Sequence, residues 1–353
     1  MHYHQLGGSG LQVARIGLGC IPFGTTIDEQ ASRGMVDRYL DAGGNYLDTA
    51  NVYGGGMRGS HERDAGTSER TVGAVVAGRR HRFVIGTKGA WTMTDQVGPN
   101  GFGLSRTYLT RAIDDSLRRL GTDYIDLYQC HVWDPYTPIE ETVRVLDDAV
   151  RAGKIRYVGV SNWGGWQVVK ANMHADRYGL TPIVSNQIWY NLADRTAEFA
   201  LIPACRDQRV SIMAWGAYAQ GFLTGRYTRE MTEPPPGSRI TSSKPEESSS
   251  WERLAVDRVW DTQEVMRGVA ARHGRSLANV AMAWLLQSGG CDVALLGAFA
   301  PEQLDDGLGA LELTLGGDEL AELDRVSRLP APYPMNFWNT FCYRDSEHYG
   351  GLR

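Results

Sequence analysis

A chain of 353 residues, 42% hydrophobic and 22% charged, can bury a large core, and its length suits one large barrel or two ordinary domains. A formal net charge of -5 and a pI near 5.9 argue against the clustered Lys and Arg that phosphate backbones demand, so nucleic acid is not an expected partner. Cys20, Cys130, Cys205, Cys291 and Cys342 are widely spaced, odd in number and free of C-x-x-C pairs, which excludes a disulfide framework and a zinc site from the expectations. No metal is expected, and a reducing cytoplasm is the expected setting. Residues 1–5 lack the basic and apolar regions of a secretory signal, and no apolar run approaches about 18 residues, so no membrane association is expected.

In chain order, residues 3–6 and 13–18 flank a Gly7-Gly8-Ser9-Gly10 turn and predict an N-terminal β-hairpin leading into a first strand. An alternation of helix and strand begins there. Helix is expected over 28–41, stopped by Gly43-Gly44, then strand over 46–48, helix over 68–77, strand over 83–87, and a long amphipathic helix over 105–120 ending at Gly121. Strands over 125–129, 155–160, 183–187 and 211–215 then alternate with helices over 139–152, 165–178 and 197–207. Residues 231–250, rich in Pro and Ser, read as a mobile loop. Helices over 251–273 and 277–287, a strand over 293–296 and a helix over 301–310 follow, and an aromatic tail occupies 330–353.

Counting 13–18 as the first, eight apolar strands alternate with helices, which predicts an α/β fold, a (β/α)8 TIM barrel forming one domain over 1–353; an open doubly wound sheet is the competitor. In a barrel the C-terminal strand ends share one mouth. Those ends are Asp48 with Tyr53 just beyond, Lys88, His131, Ser161-Asn162, Gln187, Trp215 and Gly297. Polar residues at strand ends also cap helices, so each taken singly has a plain structural reading. Asp48 and Lys88 suit a structural ion pair, Tyr53 a packed aromatic and His131 a satisfied core histidine.

The motifs N-x-x-D-T-A-x-x-Y at 45–53, G-T-K at 86–88, Q-x-H-x-x-D at 129–134, G-V-S-N at 159–162 and N-Q at 186–187 resemble the aldo-keto reductase family, in that family's order. The resemblance runs over nearly the whole chain and implies a catalytic tetrad of Asp48, Tyr53, Lys88 and His131. Hydride transfer to a carbonyl builds negative charge on oxygen, so the site needs a proton donor in an electropositive surround. Tyr53 would give the proton, and Lys88, held by Asp48, would favour its ionised form by about 3–4 kcal/mol, reachable only at close range in a sheltered site. His131 would donate to the carbonyl.

For the cofactor, the resemblance places Ser161, Asn162 and Gln187 on the nicotinamide carboxamide and Trp215 against the ring. Residues 216–225 resemble the family's pyrophosphate-embracing loop, through Gly216, Gln220, Gly221, Leu223 and Gly225, but carry Gly216 and Ala217 where Ser and Pro are usual. Residues 295–307 match the adenosine-end motif in frame, with Gly297, Gln303 and Asp306 as contacts, yet Gln303 replaces a cation and Gly307 an Asn. NADP(H) is the family's expectation and NAD(H) stays open.

The fingerprint-like Gly54-x-Gly56-x-x-Gly59 is followed by no helix, so residues 54–67 read as a mobile loop beside the mouth and not as a dinucleotide motif. No H-E-x-x-H or G-x-S-x-G occurs, and no tyrosine precedes a lysine by four residues. Trp91, Trp133, Trp163, Phe222 and the tail aromatics are expected to wall a wide substrate mouth; the competing placement of the tail is on the barrel's outside or on a second subunit, and homo-oligomerisation stays open. The expected activity is NAD(P)H-dependent reduction of an aldehyde or ketone, a keto-sugar or bulky ketone among them, or the reverse oxidation of an alcohol, with Tyr53 as general acid/base. The alternatives are a nucleotide-sensing subunit resembling potassium-channel β-subunits, for which the sequence offers no long N-terminal extension, and an isomerase or lyase on a similar barrel.

Overall fold

Strands such as Ile125–Cys130 are buried along their entire length, so both faces must be covered and helices must pack outside a parallel sheet. The computed structural model describes residues 1–54, 65–93, 98–242 and 247–341. Eight parallel strands close into a barrel in the order β10-β3-β4-β5-β6-β7-β8-β9. They are β3 (Ile16–Gly19), β4 (Tyr46–Asp48), β5 (Val84–Gly89), β6 (Ile125–Cys130), β7 (Ile155–Ser161), β8 (Ile183–Trp189), β9 (Ser211–Trp215) and β10 (Val293–Gly297). The expected TIM barrel is the observed fold. Around it run α1 (Glu29–Asp41), α2 (Thr67–Val76), α3 (Arg106–Leu120), α4 (Ile139–Arg151), α5 (Gly165–Tyr178) and α6 (Leu201–Asp207). After β9 come α7 (Trp251–Leu254), α8 (Asp257–His273) and α9 (Leu277–Gln287), and after β10 come α10 (Pro301–Gly309), α11 (Gly317–Ser327) and α12 (Met335–Phe341).

The N-terminal hairpin, β1 (Tyr3–Gln5) with β2 (Gln12–Ala14), plugs the barrel's N-terminal end. Leu6 and Val13 join Tyr46, Leu127, Val184, Met213, Val293 and Leu295 in one buried apolar layer. The plug is pinned by polar contacts: Ala14 N donates to Asn45 Oδ1 at 2.8 Å, Asn45 Nδ2 donates to Gln12 O at 3.0 Å, and Gly7 N donates to Ser211 Oγ at 2.7 Å. Asn45, first residue of the 45–53 motif, therefore acts on the hairpin and not at the mouth.

Several boundaries differ from expectation. The single strand expected over 13–18 is two, because the chain turns a corner at Arg15, whose guanidinium donates to the carbonyls of Leu286, Cys291 and Asp292. The helix expected over 251–273 breaks between α7 and α8, and that over 197–207 is a short 3-10 turn, Thr196–Glu198, followed by α6. Helix α11 was not expected, since Leu323 and Ser327 are its only buried residues and too little apolar periodicity announces it. It docks through Leu323, fully buried in the core with Leu320 packed beside it, and through charge. Arg195 Nη2 lies 2.7 Å from Asp324 Oδ1, and Arg258 Nη1 donates to Ser327 O at 3.2 Å.

The described part of the Pro/Ser-rich stretch is anchored by buried Ser238, Ile240, Ser249 and Ser250. In the aromatic tail, Met335 lines a cleft with Arg195, Glu198 and Phe199, the segment that leaves β8. Most of the 54–67 loop and the last residues of the tail lie outside the described residues. Among the described residues no helix is long and apolar enough to cross a membrane.

Because Leu6 is fully buried in the plug, Leu6→Ala should lower stability by about 2–5 kcal/mol. The midpoint of urea unfolding measures it, and a midpoint equal to that of the unaltered chain would contradict the plug.

Candidate active site

Side chains on one face of a strand recur every second residue, and this alternation stacks two layers inside the barrel. Tyr46 lies in the apolar layer, and Asp48, two residues on, stands above it at the C-terminal end of β4. On the neighbouring strand Lys88 reaches the same level. Its Nζ donates to Asp48 Oδ2 at 2.6 Å, to Thr49 O at 2.9 Å and to Tyr53 Oη at 3.1 Å. Lys88 is fully buried and Asp48 is 3% exposed, so the two charges must satisfy each other or be lost. Burial alone would lower the pKa of Lys88, but the Asp48 carboxylate and the Tyr53 oxygen override it and the net shift is upward. The lysine stays an ammonium. Asp48 Oδ1 is occupied as well, accepting from Gln187 Nε2 at 2.8 Å and from Tyr46 Oη at 3.2 Å.

His131 follows β6 and is buried, with its ring edge-on to Tyr53 at 5.6 Å between centroids. Trp91 lies parallel to the imidazole, 4.7 Å away at an interplanar angle of 13°. Burial, with the Lys88 charge nearby, holds the His131 pKa well below its ordinary value of 6.5, so the ring is neutral near neutral pH. Asp134, which closes the same motif, stands apart from this cluster. It accepts from Leu104 N at 2.9 Å and Thr137 Oγ1 at 2.6 Å, fixing the approach to α3.

A second polar group lines the rim. Ser161 Oγ donates to Gln187 O at 2.9 Å, Asn162 Nδ2 donates to His131 O at 3.1 Å, and Trp215 Nε1 donates to Asn162 Oδ1 at 3.0 Å. Asn162 is exposed and adopts a φ of 56°, a strained left-handed conformation for a non-glycine residue that turns its amide toward Trp215. The donors, acceptors and flat indole gathered here match the needs of a carboxamide on an aromatic ring.

Beyond β9 the chain holds Ala219, Gln220 and Gly221 at consecutive positive φ values of 46°, 56° and 101°. Gly216, where the resembled loop has Ser, has φ 73°, and a Cβ there would lie 2.3 Å from the ring of Trp189. Trp189 packs against Trp215 at 4.8 Å and 62°, so the lost hydroxyl makes room for a second indole. Gly225 turns with φ 77°, and Leu223 is buried. On the last strand and helix, Gly297 is open, Gln303 Oε1 accepts from Phe299 N at 2.9 Å, and Asp306 accepts from Ser276 Oγ at 2.9 and 3.0 Å. A Cβ at Gly307 would lie 2.5 Å from Leu296, so an asparagine does not fit there without repacking.

The residues expected to wall the mouth divide. Trp91 and Trp133 are partly exposed, but Trp163 is 1% exposed and sits in the core, edge-on to Trp133 at 5.1 Å. Phe222 is fully buried among Tyr227, Trp251 and Trp260. Both are corrections: a loop aromatic following a strand can equally turn back into the helix layer. Tyr46, Gln129 and Trp189 were missed as neighbours of the site, although each lies two residues from an expected site residue and thus on the same strand face.

A parallel barrel with its polar side chains gathered at the C-terminal strand ends is the architecture of a barrel enzyme. The chain belongs to the aldo/keto reductase family, whose model matches residues 15–328. YrpG of Bacillus subtilis (strain 168), described as an uncharacterized oxidoreductase, is 34% identical over 337 residues, 94% of this chain and 97% of its own. The L-glyceraldehyde 3-phosphate reductase of Escherichia coli (strain K12) is 31% identical, covering 92% of each chain. A probable voltage-gated potassium channel subunit beta of Oryza sativa subsp. japonica is 31% identical over 89% of this chain and 92% of its own. The protein is thus an NAD(P)-dependent oxidoreductase of carbonyl compounds.

The depressed pKa of His131 sets a sign for stability against pH. Above about 6.5 the ring is neutral in both folded and unfolded chains; as pH falls below that value the unfolded chain binds a proton that the folded chain refuses, so stability drops. His131→Gln should flatten the fall in urea midpoint between about pH 6.5 and pH 5, leaving the smaller share from His4, whose pKa burial also lowers. Parallel profiles for the two proteins would refute this.

Proposed function

We propose that Tyr53 transfers the proton in the reduction of an aldehyde or ketone, or in the reverse oxidation, with Lys88, Asp48 and His131 as its supporting groups. The observation that carries this reading is the buried Lys88 ammonium, whose third acceptor, after a carboxylate and a carbonyl, is the Tyr53 oxygen at 3.1 Å. A phenol that surrenders its proton becomes an anion, and an adjacent ammonium stabilises that anion more than the neutral phenol. Asp48 keeps the ammonium in place. The neutral His131 ring, standing edge-on to Tyr53, offers a hydrogen bond to the same substrate oxygen without adding a charge.

When bound, the nicotinamide supplies or accepts the hydride. Ser161, Asn162 and Gln187 would hold its carboxamide and Trp215 would support its ring, a role for which the rim's mixture of donors, acceptors and aromatic face is suited. The adenosine end supports no strong choice of nucleotide. Residues 297–307 contain no Lys or Arg, Gln303 is turned onto the backbone of Phe299, and Asp306 is engaged by Ser276. We therefore infer that NADH binds with an affinity within about tenfold of that of NADPH. Quenching of tryptophan fluorescence gives both dissociation constants, and a hundredfold preference for NADPH would overturn the inference.

On the substrate side, Trp91 stacked on His131, with Trp133 at the rim, favours carbonyl compounds with a flat or apolar face, including keto-sugars and bulky ketones. The similarity to a potassium-channel subunit keeps a nucleotide-sensing role as the second reading, with the same residues around the nucleotide. Tyr53→Phe should cut turnover with an aldehyde and keto-sugar panel by about 10²–10⁴-fold while leaving nucleotide affinity intact. Full turnover in that variant would remove Tyr53 from the chemistry; no turnover in the unaltered chain would favour the sensing role.

A further inference from the structure

We propose that Tyr108, on the first turn of α3 outside the barrel, is a positioning residue for carbonyl turnover. Its hydroxyl ties the turn that carries Tyr53 to the backbone of Trp91, the residue stacked on His131. The inference rests on the role proposed above for Tyr53 and adds a residue that touches neither substrate nor reacting atoms.

The Tyr108 side chain is buried, and its hydroxyl donates to Trp91 O at 2.7 Å while accepting from Asn51 Nδ2 at 3.1 Å. The direction of each bond is set by chemistry. A carbonyl oxygen only accepts and an amide NH2 only donates, so the one hydroxyl hydrogen belongs to Trp91. Burial pushes the Tyr108 pKa up to about 12, which keeps that hydrogen in place at any pH where the enzyme works.

Asn51 lies two residues before Tyr53, and its own N–H donates to Lys88 O at 3.0 Å. The contacts Lys88 to Asn51, Asn51 to Tyr108 and Tyr108 to Trp91, with the chain from 88 to 91, therefore form a closed loop around the corner between the phenol and the imidazole. A carbonyl oxygen must meet both groups together, and displacements of about 1 Å cost up to about 10²-fold in rate. The ring of Tyr108 alone would fill its place in the helix layer. The hydroxyl is what spans the two site segments.

The test uses Tyr108→Phe, which keeps the ring, and Asn51→Ala, which removes the other end of the tie. The expected result for Tyr108→Phe is a fall of about tenfold in kcat/KM for carbonyl reduction with nucleotide affinity, read by tryptophan quenching, within about twofold. Amide hydrogen exchange should quicken in peptides covering 49–54 and 88–93 and stay unchanged in 125–130. The double variant should lose little more than Tyr108→Phe alone, because both changes break one connection. Unchanged kcat/KM in a folded Tyr108→Phe protein overturns the proposal, and so does a parallel loss of kcat/KM and nucleotide affinity, which marks general loosening. Should Tyr108→Phe fail to fold, Asn51→Ala carries the same criteria. If the unaltered chain turns over no carbonyl, the functional reading falls by itself, and exchange decides the tie: unchanged exchange in both site peptides overturns it.

Discussion

The structure turns on one buried charge. An ammonium taken out of water costs several kcal/mol unless its hydrogens all find acceptors, and Lys88 finds three, only one of which is an anion. The carboxylate in turn needs its remaining lone pairs filled, and Gln187 fills one from β8 while Tyr46 fills another from two residues back on β4 itself. Asp48, Lys88 and Gln187 therefore hold one another only while β4, β5 and β8 keep their places around a closed ring. Barrel closure and the state of the site are one constraint. An open sheet would separate β4 from β8 and leave Asp48 Oδ1 without its amide.

The apolar layer beneath explains why this charge is kept dry from the barrel's N-terminal end. Leu6 and Val13 of the hairpin complete a floor made by Tyr46, Leu127, Met213 and Leu295. Water approaching from the barrel's N-terminal end meets that floor, so the fully buried Lys88 is shielded on that side. Tyr46 belongs to both layers. Its ring lies in the floor while its hydroxyl supports Asp48, and burial together with that carboxylate drives its pKa well above 10, keeping it a donor.

Much of this was legible in the sequence, and the limits have physical causes. Strand ends are readable because a residue terminating an apolar run in a parallel barrel faces the mouth, which places Asp48, Lys88, His131 and Gln187 together from the sequence alone. Helix ends such as Ser105 and Gly121 were readable from capping chemistry, since Ser105 Oγ accepts from Tyr108 N and Gly121 takes a left-handed φ of 61°. Loops gave less. Trp163 and Phe222 occupy loop positions like those of Trp91 and Trp133, yet fold inward, because the direction of an aromatic after a strand depends on which helices leave room for it. Helix α11 has a short apolar face, Leu320 and Leu323, and is held as well by the ion pair of Asp324 with Arg195, so its apolar periodicity alone is too sparse to announce it.

The departures from the resembled motifs follow a common logic of space. At Gly216 the missing side chain admits the ring of Trp189, which backs Trp215, and at Gly307 it admits Leu296 and the hydroxyl of Tyr218. In both places a hydrogen-bonding side chain has given way to tighter packing of the layers behind the rim. Restoring the polar residue at either position would require a Cβ within 2.6 Å of a neighbour, so these substitutions are coupled to Trp189 and Leu296 and cannot be reversed singly. The rim of Ser161, Asn162 and Gln187, tied to the buried charge through the bond from Gln187 to Asp48, keeps the hydrogen-bonding side chains of the resembled motifs, whereas residues 297–307 do not.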